Sequence, residues 1–348
     1  YHVLLAALSM VVLFRGTLRP RAPTEPNLSA PFSSPYLPPQ VERALWAAPR
    51  AEVNLLRQGD FGLLSSHVCA RALAAPVGQS LIMIAGPIGP GRETAAALHA
   101  LCDVARTSHR APMLYKCAAR TAVVARQIGW RALPVAQEAW ISPQDFATQG
   151  SSRRQLRRLL RKASASGVAL VEGGRTLLLS RMRQVADDWS ARHGGERGFS
   201  MGTFDADYVS CQRVFLAWKD DTLVGFLTLH EVQNEWTLDL MRQSRDAPDG
   251  TMHLLVVRAI ESAAALNCPR LSLAAVPQPW ADGSSELFRL LQYALKISGD
   301  AQGLRRFKSC FAPNRPPLYA AAPSTLSLAT GLWDVLRHIN RNSGARRE

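Results

Sequence analysis

The chain has 348 residues, with 41 Lys and Arg against 27 Asp and Glu, and a formal net charge of +14. This length fits two domains better than one small domain, and the charge favours anionic partners such as nucleic acid or anionic lipid. The six cysteines show no CxxC spacing and no ligand-like pairing with histidine. The composition therefore argues against a zinc site or a disulfide framework, and we predict no bound metal.

The chain opens on an apolar run followed by arginines. Residues 1–14 read YHVLLAALSMVVLF, and Arg15, Arg19 and Arg21 follow. The run is shorter than the roughly 20 apolar residues of a membrane span, and a signal peptide would carry its basic residues before the apolar run. We interpret residues 1–19 as the end of a transmembrane helix with its arginines on the cytoplasmic side. The alternative is a buried N-terminal helix of a soluble protein.

The next two segments are a linker and a first globular lobe. Residues 20–40 contain seven prolines, a density that excludes helix and predicts an extended linker. Residues 41–150 alternate apolar strand-like and helical patterns, so they predict a mixed domain. The predicted strands of this lobe are 80–86, 112–117 and 132–141, and its predicted helices are 92–108 and 121–129.

Residues 151–167, SSRRQLRRLLRKASASG, predict a basic helix that joins two lobes. Ser151 or Ser152 can cap its start and Gly167 can end it. Six cations surround a narrow leucine stripe with no acid among them, which exceeds the needs of solubility because like charges repel. A solvated helix face is the ordinary alternative, and we favour binding to phosphates of tRNA or lipid. The residues assigned to this role are Arg154, Arg157, Arg158 and Arg161.

Residues 168–345 predict a second lobe. Its order is a helix, three antiparallel strands, an apolar helix and a further strand, which is the order of acetyltransferases. The predicted elements are 176–192, three strands within 213–242, 251–266 and 271–276. The predicted fold class is therefore α+β, with two tandem acetyltransferase-like (GNAT-type) lobes that contain mixed sheets.

A charged strand end stands out in the second lobe. Asp239 and Arg242 lie in the apolar run WTLDLMR, and the turn 248–250 separates this run from the next helix. Free N–H groups at a helix start beside charged side chains are common in binding sites, although a satisfied structural ion pair is the alternative. A spacing of three puts the two side chains on opposite faces of an ideal strand. A shared site therefore requires a bulge near Leu240 or Met241.

Several cofactor motifs are missing from the sequence. There is no GxxxxGK[ST] loop and no GxSxG elbow. Acetyltransferases hold the coenzyme A pyrophosphate with a glycine-rich segment at a helix start, but the matching place, SRDAPDGT at 244–251, has one glycine. A coenzyme A donor is therefore not expected, and we predict no cofactor.

Several segments together resemble the C-terminal catalytic domain of phosphatidylglycerol lysyltransferases, the multiple peptide resistance factors. The resemblance covers roughly residues 50–320, and the order of its motifs is more specific than any one of them. The motifs are AQEAWI (136–141), ERGFSMGTF (196–204), DLMR (239–242), PDGTMHLLVV (248–257) and GLRRFKSCFAPNRPPLY (303–319).

The resemblance implies two tandem lobes behind a multi-helix membrane domain in the cell inner membrane, with the catalytic domain facing the cytoplasm. It implies transfer of an aminoacyl group, lysyl or alanyl, from aminoacyl-tRNA to the glycerol headgroup of phosphatidylglycerol. Both implied substrates are anionic, which agrees with the net charge. A tRNA ester as donor also agrees with the missing coenzyme A loop.

The resemblance also implies roles for residues that match the family. Asp239 would orient the nucleophile or the aminoacyl amino group, and Arg242 would hold a phosphate or the developing oxyanion. Lys308 and Arg305 would bind the tRNA acceptor end or the lipid phosphate, or else are surface cations on a C-terminal loop. Glu138 also matches the family and is assigned to substrate binding.

This chain departs from the family pattern at three places. It has Ala85-Gly86-Pro87 for Gly-Asp-Pro, Met252-His253 for Met-Asp, and Arg315 for a tryptophan. His253, at the start of a helix, is assigned to the substrate site as a proton shuttle, although a lone histidine is more often structural. Two other functions stay open: an atypical N-acyltransferase acting on a small amine, and a module that only binds tRNA or an anionic membrane.

Overall fold

The computed structural model describes residues 22–29, 32, 34–65, 71–173, 178–277 and 301–342. Within these ranges no helix is both long and apolar enough to cross a membrane. The predicted end of a transmembrane helix, residues 1–19, lies outside the described residues. The described part of the proline-rich segment has no regular secondary structure before Pro39, and the N–H of Thr24 donates to the Ser108 carbonyl at 3.1 Å.

The described chain forms an α+β fold around one mixed sheet, which confirms the predicted class. The strands are β1 (Gly62–Ser65), β2 (Arg71–Val77), β3 (Ser80–Pro87), β4 (Ala111–Cys117), β5 (Arg131–Ile141), β6 (Val168–Glu172), β7 (Arg213–Lys219), β8 (Thr222–Val232), β9 (Glu235–Gln243), β10 (Leu271–Pro277) and β11 (Pro317–Ala322). The helices are α1 (Pro39–Trp46), the 3₁₀ helix Ala51–Gln58, α2 (Thr94–Thr107), α3 (Ala119–Gln127), α4 (Arg154–Ala165), α5 (Leu179–His193), α6 (Ala206–Ser210), α7 (Thr251–Ala265), α8 (Ala301–Ser309) and α9 (Thr325–Asn342).

The sheet continues from one half of the chain into the other through β5. Its strand order is β1-β2-β3-β4-β11-β5-β10-β9-β8-β7-β6. β5 pairs antiparallel with β11 on one side and with β10 on the other. The β3–β4 and β9–β10 pairs are parallel, and the remaining strand pairs are antiparallel. The central strand β5 therefore joins the two halves through backbone hydrogen bonds.

The C-terminal elements β11 and α9 return to the N-terminal half. β11 lies between β4 and β5, and α9 packs on β2, β3, β4 and β11. The predicted division into lobes at 41–150 and 168–345 stays a prediction, and β11 and α9 from the second range lie with strands of the first. The meander β7–β8–β9, then α7, then β10 parallel to β9, is the predicted acetyltransferase-like order.

Helices α4 and α7 pack closely at Gly250. α4 buries Leu156 against the core that α7 also covers. Gly250 precedes α7 with φ +94°, and a Cβ added there would lie 2.2 Å from the Leu159 carbonyl oxygen. Glycine is therefore required both for the left-handed backbone and for the contact between helices.

We expect Gly250→Ala to destabilise the fold more than Gly129→Ala does. Gly129 has φ +89°, close to that of Gly250, but a Cβ there meets nothing within 4 Å. Gly129→Ala should cost about 1–2 kcal/mol for the left-handed backbone. Gly250→Ala should cost roughly 1–3 kcal/mol more for the overpacked contact. Urea unfolding measures both variants, and equal losses would show that the approach of α4 to α7 is not tight.

Candidate active site

Two arginines and two glutamates form a closed ring of ion pairs between the halves of the chain. Arg50 contacts Glu138 at 2.6 Å and Glu235 at 3.2 Å. Arg270 contacts Glu138 at 2.7 Å and also binds Glu235. Both glutamates are buried, so each needs the cations to offset its lost hydration. The ring connects β5 and β9, which carry the two glutamates, with Arg50, the residue before the 3₁₀ helix.

Glu138 is fully engaged inside this ring. Its carboxylate accepts from Arg50, Arg270 and the Ser272 hydroxyl, the last at 2.7 Å. Burial alone would raise the pKa of Glu138, but the two guanidinium charges and these hydrogen bonds lower it. The structure thus places this predicted substrate residue in a structural network, and its substrate role stays a prediction.

A second buried cluster adjoins the ring and contains Glu52, Lys116 and Lys308. Lys116 Nζ lies 3.9 Å from Glu52 Oε1 and donates to the Ser200 carbonyl at 3.1 Å. Arg50 lies 3.7 Å from Glu52 Oε2, an oxygen that has no hydrogen-bond partner in the described part of the chain. All three members of the cluster are buried. This concentration of buried ionisable groups is typical of functional sites.

Lys308 lies on α8 and is buried, so the alternative of a surface loop cation is wrong for this residue. Its Nζ donates to the carbonyls of Ala274 and Ala275 at 3.3 and 3.1 Å. Burial, with the Lys116 charge, lowers the pKa of Lys308 to about 7. A neutral amine has two N–H donors, which these carbonyls satisfy, and one lone pair. Lys308 is therefore available as a proton acceptor near neutral pH.

Asp239 occupies a bulge in β9. Leu227 of β8 pairs with Met241 and Leu229 pairs with Leu238, so two β9 residues stand opposite one residue of β8. A bulge near Leu240 or Met241 is the condition that the sequence sets for a site shared by Asp239 and Arg242. The structure has this bulge, and the shared site stays a prediction. The bulge turns Asp239 toward the side of β9 that Arg242 also faces.

Three neutral donors hold the Asp239 carboxylate. Oδ1 accepts from the Gly202 N–H at 3.0 Å, and Oδ2 accepts from the Tyr208 hydroxyl at 2.9 Å and the Gln212 amide at 2.8 Å. The ring of His230 lies 3.1 Å from the Tyr208 oxygen. A carboxylate has about four lone-pair directions, so these three hydrogen bonds leave about one unused.

The neighbours of Asp239 stay uncharged at neutral pH. Burial, and then the Asp239 charge, raise the pKa of Tyr208 well above its ordinary value. Burial lowers the pKa of His230, although the Asp239 charge opposes this shift. The three donors that hold the Asp239 carboxylate are therefore neutral groups.

Residues 196–204 connect Asp239 with the lysine cluster. The Ser200 carbonyl accepts from Lys116, and two residues later the Gly202 N–H donates to Asp239. A Cβ at Gly202 would lie 2.3 Å from Asp239 Oδ2, so only glycine allows this approach. The two polar clusters are consequently neighbours, although Asp239 and Lys308 come from different elements.

Arg242 supports this segment and does not pair with Asp239. Its guanidinium donates to Glu196 Oε1 at 3.1 and 2.9 Å and stacks 3.9 Å from the Trp189 ring centroid. Glu196 Oε2 in turn accepts from the Phe204 N–H at 2.6 Å. Burial lowers the pKa of Arg242, and the Glu196 charge opposes this shift. Arg242 thus binds Glu196 at the start of the segment that carries Gly202, and Glu196 binds Phe204 at its end.

The two remaining predicted substrate residues, His253 and Arg305, contact groups other than Asp239. His253 packs on α8, with its ring 4.6 Å from that of Phe307 and 5.7 Å from that of Phe311, and burial lowers its pKa to about 4. The structure therefore places His253 in an aromatic contact between α7 and α8. Arg305, half-buried on α8, donates to the Gln137 side chain at 3.0 Å.

The basic helix α4 has one engaged arginine and three exposed ones. Arg157 donates to the carbonyls of Thr148 and Gly150 at 2.8 and 2.6 Å, so it closes the preceding loop. Arg154, Arg158 and Arg161 are exposed. Arg154 and Arg158 also line an open surface depression. The predicted phosphate-binding surface on this helix consequently reduces to these three residues.

The sequence did not single out Tyr208, His230, Glu52 or Lys116. Each lies far along the chain from its partners, and no spacing pattern joins them. The signal for Tyr208 was its position soon after the family-like segment 196–204. No group of three or more His, Cys, Asp or Glu side chains in the described ranges could hold a metal ion.

We expect Lys308→Met to weaken the pH dependence of stability. Above about pH 7 the folded chain has released a proton that the unfolded chain keeps up to its ordinary pKa of 10.5. Unfolding then takes up a proton, so the free energy of unfolding rises with pH in this window, by up to about 1.4 kcal/mol per unit. Urea unfolding at pH 7, 8 and 9 should show a shallower rise for the variant. The exposed control Lys219→Met should keep the full slope, and equal slopes for all three proteins would refute the lowered pKa.

Comparison with known proteins identifies the family. Residues 53–322 match the model described as phosphatidylglycerol lysyltransferase, C-terminal. The Bacillus subtilis phosphatidylglycerol lysyltransferase is 21% identical over 294 residues, which are 80% of this chain and 34% of that protein. The Mycolicibacterium gilvum lysylphosphatidylglycerol biosynthesis bifunctional protein LysX is 31% identical over 198 residues, 54% of this chain and 18% of that protein. The chain thus spans about a third or less of the length of these relatives.

Solved structures share the fold. The L-PGS of Bacillus licheniformis superposes with a TM-score of 0.80 at 22% identity and covers 92% of this chain and 100% of that chain. A C-terminal domain assigned to a lysylphosphatidylglycerol synthetase of Agrobacterium fabrum superposes with a TM-score of 0.77 at 26% identity, covering 87% of this chain and 97% of that one. Because the family model spans more than three quarters of the sequence, the chain belongs to the phosphatidylglycerol lysyltransferase C-terminal family.

Proposed function

We propose that the chain transfers an aminoacyl group from aminoacyl-tRNA to the glycerol headgroup of phosphatidylglycerol. The observation that carries the proposal is the family match over residues 53–322, a range that contains both Asp239 and Lys308. The proposal places the chain at the cytoplasmic face of the inner membrane, behind an N-terminal membrane domain. The names of the relatives favour lysyl over alanyl as the group that is transferred.

The reaction is a transesterification. The acceptor hydroxyl attacks the ester carbonyl of the aminoacyl-tRNA and forms a new C–O bond. The bond between that carbonyl carbon and the ribose oxygen then breaks, and the ribose oxygen takes up the proton that the acceptor hydroxyl loses. Because the donor ester is already activated, neither a cofactor nor a covalent enzyme intermediate is required. The protein has to position the two substrates, move one proton and stabilise the oxyanion.

Lys308 moves the proton in this proposal. Its pKa of about 7 lies near the operating pH, where a general base is most effective. With its two N–H groups bound to the Ala274 and Ala275 carbonyls, the lone pair of the neutral amine can take the hydroxyl proton. The resulting ammonium then returns the proton to the departing ribose oxygen.

Asp239 positions a substrate in this proposal. Tyr208, Gln212 and Gly202 fix its carboxylate, so its remaining lone-pair direction is pre-organised. A negative charge among neutral donors suits the ammonium group of the aminoacyl donor or the acceptor hydroxyl. Arg242 acts through Glu196 on the segment that carries Gly202, so it is a positioning residue.

We expect Asp239→Asn and Arg242→Gln to fail in different ways. The assay incubates radiolabelled lysyl- or alanyl-tRNA with phosphatidylglycerol vesicles and measures labelled lipid. Asp239→Asn should lose on the order of 10²-fold in rate, because a positioned charge is missing. Arg242→Gln should instead lose stability, up to about 3–5 kcal/mol, because the buried Glu196 carboxylate loses the guanidinium that donates to its Oε1.

Thermal unfolding of both variants provides the control for this experiment. A correctly folded Asp239→Asn protein with near-normal transfer would remove Asp239 from the mechanism. If the unaltered protein gives no labelled lipid but transfers an acyl group from a coenzyme A thioester to a small amine, it is an atypical N-acyltransferase instead. Binding of tRNA and vesicles without any transfer would reduce it to a binding module.

We expect the exposed arginines of α4 to contact phosphates of the tRNA. Replacing Arg154, Arg158 and Arg161 with glutamine should weaken tRNA binding and flatten the log–log salt dependence by about 0.9 per lost contact on a duplex arm. Arg157 is left unchanged because it holds the preceding loop. The matched control replaces three exposed arginines of the N-terminal half, which are Arg92, Arg106 and Arg120. An unchanged slope and affinity would make α4 an ordinary solvated face.

A further inference from the structure

The outer face of α9 carries large apolar side chains. Leu328, Leu332 and Leu336 are buried against the N-terminal half of the sheet. On the outward side, Leu326 is 77% exposed and Trp333 is 50% exposed. A separation of seven residues is nearly two helical turns, so these two side chains point the same way about 10.5 Å apart. We call Leu326, Trp333 and Arg337 the outer stripe of α9.

Cations lie both within this stripe and beside its first residue. Arg337 is exposed one turn after Trp333. At the other end of the helix, Arg126 and Arg131 line a surface groove together with Thr325. The acid on this helix points inward, because Asp334 accepts from the Gln79 N–H and the Ser80 hydroxyl, each at 2.8 Å. The exposed surface therefore combines apolar and positive groups.

The same helix touches the candidate active site. The His338 ring lies 5.3 Å from the Phe199 ring, with edge-to-face geometry. Phe199 belongs to the segment 196–204, whose Gly202 donates to Asp239. Met201, in the same segment, is exposed. The C-terminal part of α9, next to the outer stripe, is thus in contact with the segment that positions Asp239.

We propose that the outer stripe of α9 docks on an anionic bilayer and brings residues 196–204 to its surface. Tryptophan favours the boundary between headgroups and acyl chains, and an exposed leucine gains from entering it. Arg337, Arg126 and Arg131 complement anionic headgroups. The proposal rests on the proposed function in one respect, because the bilayer would hold the acceptor lipid. A second copy of the chain could also cover an apolar stripe, and the experiment separates this case.

The first measurement is sedimentation with vesicles of phosphatidylglycerol and, separately, of phosphatidylcholine. Leu326→Ser combined with Trp333→Ser should weaken partition onto phosphatidylglycerol vesicles about tenfold or more. The matched control combines Leu266→Ser with Trp46→Ser, at positions 57% and 50% exposed, and should bind as the unaltered protein does. All proteins keep residues 1–14, so any affinity from that segment is common to them. Equal partition of variant and control onto phosphatidylglycerol vesicles would overturn the proposal. So would an unaltered protein that is a dimer in solution and a variant that is a monomer with unchanged partition, because the stripe would then contact a second copy of the chain.

The second measurement reads contact at Trp333 itself. Brominated acyl chains should quench the unaltered protein and Trp46→Phe, and Trp333→Phe should lose a quenched component. Persistence of the full quenching in Trp333→Phe would also overturn the proposal. Neither measurement requires transfer activity, so failure of the proposed function would be seen separately as no labelled lipid from the unaltered protein. With short-chain monomeric phosphatidylglycerol as acceptor, the double serine variant should retain the transfer that it loses on vesicles.

Discussion

The structure depends on the ring of ion pairs formed by Arg50, Glu138, Arg270 and Glu235. Removing one partner of a buried pair typically costs about 3–5 kcal/mol, because the remaining charge is stranded away from water. Glu138 comes from β5, the strand through which the sheet passes from one half to the other. Arg50 directly precedes the 3₁₀ helix that carries Glu52. The ring therefore links the two halves and lies beside Glu52 and Lys116, so that buried charged groups are concentrated where the halves meet.

Burial explains the chemistry proposed for Lys308 and Asp239. It makes the ammonium form of Lys308 costly and lowers the pKa of this residue to about 7. Asp239 avoids the same cost because three neutral donors replace its hydration. Two of the residues that depart from the family pattern make structural contacts elsewhere in the fold. His253 fills an aromatic contact, and Arg315 donates to the Ser309 hydroxyl at 2.5 Å.

Local patterns predicted much of the fold and only part of the site. Strongly apolar segments such as β3 and amphipathic ones such as α2 fell within about two residues of their predicted ranges. The strand β2, RALAAPV, and the strand β11, PLYAAA, were missed because alanine and proline give no strand signal. The bulge at Asp239 followed from requiring two charged residues on one face. The pairing of Arg242 with Glu196 could not be predicted, because Glu196 is 46 residues away in an irregular segment and no periodicity joins the two residues.

The central claim is that the aminoacyl group passes directly from tRNA to lipid at the junction of the two halves. A single-turnover experiment tests it most directly, with excess protein, aminoacyl-tRNA labelled in its amino acid, phosphatidylglycerol vesicles and acid quenching at short intervals. The account predicts that label enters lipid as fast as it leaves tRNA, with none bound to protein. Label that accumulates on the protein before it reaches lipid, or label that never reaches lipid, would contradict the account.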